Sequence, residues 1–254
     1  CPAANSASRK VPTPRLRMFA GPNGSGKSTL KAVLPEELLG IYLNPDDIEQ
    51  SIHRQGFLNT ESFGVTTSAE EVLPFFTSSE LLKETGQAVV ARGLGYDDGR
   101  LIFNSVPVDS YLASVAVDFL RQKLLELKVS FTFETVMSHR SKVELLARAQ
   151  QAGYRTYLYY IATDDPEINI SRVRNRVKLG GHSVPEDRIG PRYYRSLDLL
   201  MDAIRNTNRT YVFDNSSQNK DRTWVAEITD GKVLELKTDQ VPAWFKRAVL
   251  DKIA

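Results

Sequence analysis

Apolar residues occur along this chain in two alternating spacings. Short apolar runs, typical of buried strands, occupy residues 16–20, 40–44, 129–133, 155–162 and 209–214. Between them, apolar residues at helical spacing and helix end signals predict helices at residues 28–34, 48–54, 109–127, 141–153, 166–177, 185–205 and 241–253. Residues 225–229 and 233–237, on either side of Asp230-Gly231, predict a β-hairpin. Strands that alternate with helices predict a three-layer α/β fold with a mostly parallel sheet, closed by the C-terminal hairpin and helix.

Two stretches depart from this alternation. Residues 1–14 are rich in Ser, Ala and Pro and lack the apolar segment of a signal peptide, so we expect a disordered tail. Residues 52–108 consist of turn-rich pieces around two short helical candidates, near 68–75 and 78–91, and we interpret them as an insertion. The remainder, residues 15–254, predicts a single catalytic domain.

A complete phosphate-binding loop (P-loop, Walker A motif) of the form G-x-x-x-x-G-K-[ST] directly follows the first predicted strand. Backbone N–H groups of such a loop, and the positive end of the helix that follows it, point at one position where a polyphosphate fits. Lys27 can reach the β- and γ-phosphates of ATP, and the Ser28 hydroxyl can ligate Mg²⁺. The predicted nucleotide-binding residues are Gly21, Pro22, Asn23, Gly24, Ser25, Gly26, Lys27, Ser28 and Thr29.

Carboxylates follow two of the other predicted strands. Asp46 and Asp47 come directly after residues 40–44, and Glu134 follows residues 129–133. Ligands of parallel α/β folds bind beyond the carboxyl ends of the strands, so these side chains and the phosphate loop converge on one rim. Asp46 can accept the proton of an acceptor hydroxyl, as phosphoryl transfer requires, or it can simply cap the next helix.

The predicted helix at residues 166–177 carries Arg172 and Arg176 one turn apart on one face. Guanidinium groups in this arrangement can clamp phosphates, although a solvated basic face is the common alternative. Gly180-Gly181 follows and suits a hinge. We therefore interpret residues 172–192 as a lid that carries arginines over the triphosphate.

The composition limits the kinds of ligand and partner that we expect the protein to bind. The formal net charge of +2 argues against nucleic acid or an anionic membrane surface as the ligand, and no apolar run is long enough to span a membrane. Cys1 is the only cysteine, which excludes disulfides within the chain and Cys-based zinc sites and suits a reducing, cytoplasmic location.

Together these motifs resemble the zeta-toxin family of P-loop kinases. The matching segments, in the family's order, are residues 21–29, 44–48, 133–135, 172–177 and 180–186, followed by 192–197. The resemblance implies ATP- and Mg²⁺-dependent phosphorylation of the 3′-hydroxyl of the amino sugar in UDP-N-acetylglucosamine, and neutralisation by a small antitoxin protein. It also implies that Asp46 is the general base, that Lys27 and Ser28 hold ATP and Mg²⁺, and that Arg172 and Arg176 stabilise the transferred phosphoryl group. The implied acceptor-binding residues are Asp46, Glu134, Thr135, His182 and Arg192.

The chain departs from the family pattern at two places. His182 stands where the best-known toxins have a second lid arginine, so we expect Arg188 or Arg192 to take that role or the enzyme to be slower. The insertion at residues 52–108 is expected to border the acceptor pocket. Two other functions stay open: a P-loop kinase acting on a nucleic-acid end or another nucleotide, and a nucleotide-binding regulator without catalysis. An ABC-type ATPase is excluded because no Leu-Ser-Gly-Gly-Gln signature follows the loop.

Overall fold

The computed structural model describes residues 12–104, 106–181, 183–217 and 222–253. Its main sheet has seven strands in the order β10-β9-β8-β7-β1-β6-β2, and a second sheet has the order β3-β5-β4. The main sheet contains β1 (Arg15–Ala20), β2 (Ile41–Leu43), β6 (Phe131–Thr135), β7 (Arg155–Ala162), β8 (Arg209–Asp214), β9 (Thr223–Thr229) and β10 (Val233–Leu236). The small sheet contains β3 (Phe57–Asn59), β4 (Gly95–Asp97) and β5 (Arg100–Ile102). Strands β8, β7, β1, β6 and β2 are parallel, whereas β9 and β10 form the antiparallel edge. The predicted mostly parallel sheet and C-terminal hairpin are confirmed.

Most helices lie close to the positions that the apolar spacing predicts, but the helix predicted at 185–205 is divided into two at Leu199, and the one predicted at 241–253 is α-helical only at Ala243–Ala248. They are α1 (Pro45–Gln55), α2 (Ala69–Thr77), α3 (Glu80–Glu84), α4 (Ser110–Glu126), α5 (Ser141–Gln151), α6 (Pro166–Lys178), α7 (Glu186–Asp198), α8 (Leu200–Arg205) and α9 (Ala243–Ala248). The predicted helix at 78–91 is much shorter, because Gly86, with φ of 72°, adopts the left-handed conformation just after α3. The segment after the phosphate loop, Lys27–Val33, is a 3-10 helix where an α-helix was expected.

The two faces of the main sheet are covered differently. Buried side chains of α4, α5, α7, α8 and α9 form one large core with one face of the sheet. On the other face, Phe19, Tyr159 and Phe213 pack against Leu30 and Leu39, which come from the segment between β1 and β2. Short 3-10 helices at Lys27–Val33 and Glu36–Leu38 therefore supply the third layer. No helix in the described part of the chain has the length and apolar character that crossing a membrane requires.

Residues 52–108, which we interpret as an insertion, begin inside α1 and contain the small sheet together with α2 and α3. This unit packs against the outer side of α4, where the rings of Phe75 and Phe119 have centroids 5.3 Å apart. Val72, Phe76 and Leu82 are fully buried, so the unit joins the main core. The insertion therefore lies outside the main sheet and does not interrupt its parallel strands.

The strand register places the candidate residues at the carboxyl ends of the parallel strands. β1 lies between β6 and β7, and Ala20, its last residue, pairs with Thr135 and Tyr160. Glu134 pairs with Phe19, two residues before the phosphate loop begins at Gly21. Parallel pairing thus brings a carboxylate that is distant in sequence next to the loop.

Candidate active site

The phosphate loop turns sharply between β1 and the 3-10 helix. Gly21 and Gly24 have φ of 144° and 74°, conformations that other residues rarely adopt. A Cβ on Gly21 would lie 1.9 Å from the carbonyl oxygen of Ile161, and one on Gly24 would lie 2.5 Å from that of Asn169. These positions therefore require glycine because the loop packs closely against neighbouring backbone, whether or not a ligand also approaches the loop.

Two asparagines hold the loop in place. Asn169 Nδ2 in α6 donates to the Asn23 carbonyl at 2.5 Å, and its Oδ1 accepts from the Thr163 hydroxyl. Asn215, just after β8, donates through Nδ2 to the Ser25 carbonyl at 2.8 Å. Sequence reasoning missed both. A signal existed for Asn169, which lies one turn before Val173 on the packed side of α6, where a polar side chain needs a hydrogen-bonding partner.

We expect Gly21→Ala to lower the free energy of unfolding by about 2–5 kcal/mol, because it adds backbone strain to a collision with Ile161. Chemical denaturation monitored by circular dichroism measures this change. Gly86→Ala is the matched control, since Gly86 has φ of 72° with no neighbour within 4 Å of a Cβ. Its cost is expected to be about 1–2 kcal/mol. Equal losses in the two variants would contradict the packing role of Gly21.

Lys27 folds back onto the loop. Its Nζ donates to the carbonyl oxygens of Gly21 and Pro22, each at 2.9 Å. Burial lowers the pKa of Lys27 to about 8, against the opposing effects of the Glu134 and Asp46 carboxylates. The ammonium is therefore close to both carboxylates and is only moderately basic.

This pKa predicts a pH limit on phosphate binding. Lys27 is charged below pH 8 and neutral well above it, so we expect the affinity for ADP to be constant up to about pH 8 and then to fall about tenfold per pH unit. In the unfolded chain the lysine keeps its proton up to its ordinary pKa. Its burial therefore opposes folding below pH 8, and this penalty is relieved as the pH rises from 8 to 10.5.

Isothermal titration of ADP between pH 7 and 10 checks the predicted limit. Lys27→Arg is the control, because a guanidinium stays charged throughout this range and removes the fall. A wild-type affinity for ADP that stays constant up to pH 10 would contradict the assignment of the phosphate-binding charge to Lys27.

Glu134 of β6 forms hydrogen bonds with the phosphate loop and with the neighbouring strand β2. One of its carboxylate oxygens accepts from the Ser28 hydroxyl at 3.2 Å, and the other accepts from the Tyr42 hydroxyl of β2. Burial raises the pKa of Tyr42, and the Glu134 charge raises it further. Tyr42 thus stays a hydrogen-bond donor that orients Glu134 toward the loop, a role that the sequence did not reveal.

Asp46 is not needed as a helix cap. Asn44 caps α1, since its Oδ1 accepts from the Asp46 backbone N–H at 2.9 Å. The Asp46 carboxylate instead lies 3.8 Å from Nη1 of Arg176. The capping alternative is therefore wrong for the Asp46 side chain, which is available for chemistry.

Two adjoining cavities meet at the carboxyl ends of the parallel strands. The loop cavity, about 280 Å³, is lined by Lys27, Ser28, Arg172 and Arg176. The lateral cavity, about 240 Å³, is lined by residues of α4, α5 and α7 and by the end of β6. Both cavities are lined by Asn23, Pro45, Asp46, Glu134, Thr135 and Val136. A group in the loop cavity and one in the lateral cavity would therefore meet beside Asp46 and Glu134.

The arginines of α6 face different partners. Arg172 Nη1 donates to the Asn215 carbonyl at 2.8 Å, and burial lowers the pKa of Arg172. Arg174 forms an ion pair with Glu186 of α7 and lines neither cavity. The predicted pair of Arg172 and Arg176 on one side of the helix is thus found at the loop cavity.

The remaining predicted site residues are distributed over both cavities. Arg192 and Arg188 of α7 line the lateral cavity, and burial lowers the pKa of Arg192. Thr135 lines both cavities, and its Oγ1 accepts from the Met137 N–H at 3.1 Å. The Thr29 hydroxyl donates to the Gly26 carbonyl at 2.7 Å, so it is directed into its own loop. His182, like residues 1–11 of the predicted tail, lies outside the described residues.

The insertion, which we expect to border the acceptor pocket, is separated from the lateral cavity in its described residues. None of them lines the lateral cavity, whose wall on this side is formed by α4. The small sheet and α2 pack behind that helix, and Phe75 reaches a different cavity. The insertion therefore supports the site through α4, against which it packs, and through α1, in which it begins and which carries Asp46.

A glycine-rich loop on the central strand of a parallel sheet, faced by the arginines of a neighbouring helix, defines a P-loop kinase fold. The family model described as Zeta toxin matches residues 111–225, a little less than half of the chain. The resemblance to the zeta-toxin family that the motifs indicate is confirmed over this segment.

Relatives and solved structures resemble the chain in part. An uncharacterized protein of Haemophilus influenzae is 35% identical over 65 residues, which are 26% of this chain and 46% of that protein. The native AvrRxo1-ORF1:-ORF2 complex has a chain that is 14% identical with a TM-score of 0.52, over 89% of this chain and 62% of that one. A structure of the PezAT chromosomal toxin-antitoxin system of Streptococcus pneumoniae gives a TM-score of 0.46 at 16% identity, over 97% and 87% of the two chains. The chain thus spans less than two thirds of the first two proteins.

Proposed function

We propose that this protein is an ATP- and Mg²⁺-dependent kinase that transfers a phosphoryl group to a hydroxyl of a nucleotide sugar, UDP-N-acetylglucosamine or a relative. One observation carries the proposal: the loop cavity and the lateral cavity adjoin, and Asp46 and Glu134 stand on their common wall. Phosphoryl transfer needs a donor and an acceptor in line, with a proton acceptor between them. The likeness to the zeta-toxin family supports this class of reaction and this substrate.

In this proposal, residues of the loop cavity bind ATP and residues of the lateral cavity bind the acceptor. Lys27 and the backbone N–H groups of the loop bind the phosphates of ATP, and Arg176 and Arg172 face them from α6. Asp46 accepts the proton of the acceptor hydroxyl, because its carboxylate lines both cavities. Arg188 and Arg192 contact the acceptor from α7.

The residues beside the loop fit Mg²⁺ held mainly by substrate phosphates. The described residues contain no group of three or more His, Cys, Asp or Glu side chains suited to a metal ion. Ser28 and Glu134, whose side-chain oxygens are 3.2 Å apart, offer instead the few oxygen ligands that Mg²⁺ takes when phosphates and waters complete its shell. When bound there, Mg²⁺ neutralises charge on the transferred phosphoryl group.

The experiment is incubation of the purified protein with ATP, MgCl₂ and UDP-N-acetylglucosamine, followed by mass spectrometry and ³¹P NMR. We expect a product heavier by one phosphate together with an equal amount of ADP. Other nucleotide sugars, NAD, a nucleoside monophosphate and a 5′-hydroxyl oligonucleotide complete the panel. Phosphorylation of the oligonucleotide or nucleotide alone would contradict the proposed substrate, and ADP at background level with every acceptor would contradict the proposed kinase.

The resemblance also supports an antitoxin as a protein partner. Expression of the wild-type protein is then expected to arrest growth of a bacterial host, whereas Asp46→Asn is harmless at equal protein level. Equal growth of the two strains would contradict the toxin role and would leave the kinase assay to decide the chemistry.

A further inference from the structure

The insertion encloses a cavity of its own between α1 and the small sheet. This insertion cavity, about 390 Å³, is lined by Phe57, Asn59, Phe63 and Arg100 of the insertion and by Tyr42 of β2, among others. It shares no lining residue with the lateral cavity. It is larger than the loop cavity or the lateral cavity, and its volume falls within the roughly 300–1,000 Å³ of small-molecule sites. The insertion cavity can therefore hold a ligand separate from ATP and its acceptor.

One aromatic ring of the insertion cavity lies outside the apolar core. Phe57 of β3 is half-buried, yet it belongs to neither apolar cluster that the described residues form. The Arg100 guanidinium lies over the Phe57 ring, 5.1 Å from its centroid, and Tyr42 and Phe63 supply two further rings to the cavity. Aromatic rings and guanidinium planes are the side chains on which planar bases stack. This wall therefore suits a planar aromatic ligand.

Two asparagines supply hydrogen-bond donors of fixed direction. Asn44 Oδ1 accepts from the Asp46 backbone N–H at 2.9 Å, and Asn59 Oδ1 accepts from that of Glu61 at 3.0 Å. Both asparagines line the insertion cavity, and no described residue accepts a hydrogen bond from either Nδ2. Because the backbone holds each amide oxygen, each Nδ2 is left to donate to a ligand. The matching ligand therefore carries acceptor atoms such as ring carbonyls.

The charges that line the insertion cavity balance each other. Arg100 contributes one positive charge and Asp47 one negative charge, and the other lining residues are neutral. A polyphosphate or a nucleic-acid strand would need several cations along its path. The cavity therefore favours a small neutral molecule.

We propose that the insertion cavity is a second binding site, for a free nucleobase or nucleoside that bears ring carbonyls, and that its occupancy regulates the active site. The base stacks on Phe57, and its carbonyls accept from Asn44 and Asn59. The route to the active site is short, because Tyr42 also donates to Glu134. A base packed against Tyr42 holds that hydroxyl on Glu134, so occupancy tightens ATP binding. Only this coupling rests on the proposed function.

The experiment is isothermal titration of guanosine and of uridine into the full chain saturated with Mg²⁺ and a non-hydrolysable ATP analogue, which blocks the phosphate loop. We expect at least one nucleoside to bind, and Phe57→Ala and Asn59→Asp each to weaken that binding at least tenfold. Phe57→Ala removes the stacking surface. Asn59→Asp replaces the donor by an oxygen but keeps the acceptor for the Glu61 N–H. Adenosine, whose base has no ring carbonyl, is expected to bind at least tenfold more weakly.

Phe75→Ala is the matched control, because Phe75 is also a half-buried phenylalanine of the insertion but packs against α4 and does not line the insertion cavity. Its nucleoside affinity is expected to stay within about threefold of wild type. No binding of either nucleoside, unchanged binding by Phe57→Ala and Asn59→Asp, or tighter binding of a tetranucleotide than of the nucleosides would each overturn the assignment. If Phe57→Ala does not fold, Asn59→Asp decides alone.

A second titration tests the regulation. Saturating nucleoside is expected to tighten binding of the ATP analogue at least threefold in the wild type and to have no effect in Tyr42→Phe, which keeps the ring but loses the hydrogen bond to Glu134. No change in the wild type, or the same change in Tyr42→Phe, would overturn regulation through Tyr42. If the analogue itself does not bind, the proposed kinase fails, whereas the nucleoside affinities of Phe57→Ala and Asn59→Asp still test the insertion cavity.

Discussion

Asp46→Asn is expected to lower kcat for phosphoryl transfer by about 10²–10⁴-fold while the affinity for ATP changes less than threefold. The amide keeps the size of the side chain but cannot accept the proton of the acceptor hydroxyl. The fold should be unaffected, because Asn44 caps α1 and the Asp46 backbone N–H keeps its hydrogen bond. A coupled assay of acceptor-dependent ADP release measures kcat, and titration with a non-hydrolysable ATP analogue measures the affinity.

Asp47→Asn is the matched control for this prediction. Asp47 is the next residue of the same helix turn, but it lines a cavity with Tyr42 and Phe57 on the other side of α1. We expect its kcat to stay within about threefold of wild type. A similar loss in both variants would indicate an effect on the helix, and near-normal turnover of Asp46→Asn would assign the proton acceptor to another group.

Lys27→Met is expected to lower kcat/KM for ATP by about 10²–10³-fold, the usual effect of removing one preorganised donor from a developing negative charge. Methionine fills the same volume without charge. The substitution removes the donors to the Gly21 and Pro22 carbonyls, but it also removes a charge whose pKa burial lowers to about 8. The two effects on stability oppose each other, so we expect the loss to lie in ATP use and not in folding.

Lys31→Met provides the control on the same 3-10 helix. Lys31 lies over the Tyr42 ring, with its ammonium 3.7 Å from the centroid, and it does not line the loop cavity. Its removal is expected to cost about 0.5–1 kcal/mol of stability and to change kcat/KM for ATP by less than threefold. Steady-state kinetics and thermal unfolding of the two variants side by side give both quantities. Equal kinetic losses would remove Lys27 from its proposed role.

Local sequence determined the elements and the loop. Strands at residues 155–162 and 209–214 coincide with β7 and β8, because buried strands need continuous apolar residues that few other structures accommodate. The Gly-x-x-x-x-Gly-Lys-Ser pattern identified the phosphate loop from its letters and its position after β1. Helix ends inside the insertion were the weakest predictions, because the helix predicted at 78–91 ends before Gly86, whose left-handed conformation the apolar spacing does not reveal.

Residue patterns along the chain were enough to establish the alternation of strands and helices, the phosphate loop and the carboxylates expected at its rim. Tertiary structure decided which polar groups meet there: Asn169 and Asn215 on the loop, Tyr42 on Glu134, and Arg176 beside Asp46. The physical reason is that apolar spacing and backbone conformation depend on near neighbours, whereas a shared hydrogen bond or an ion pair depends on residues that only the folded sheet brings together.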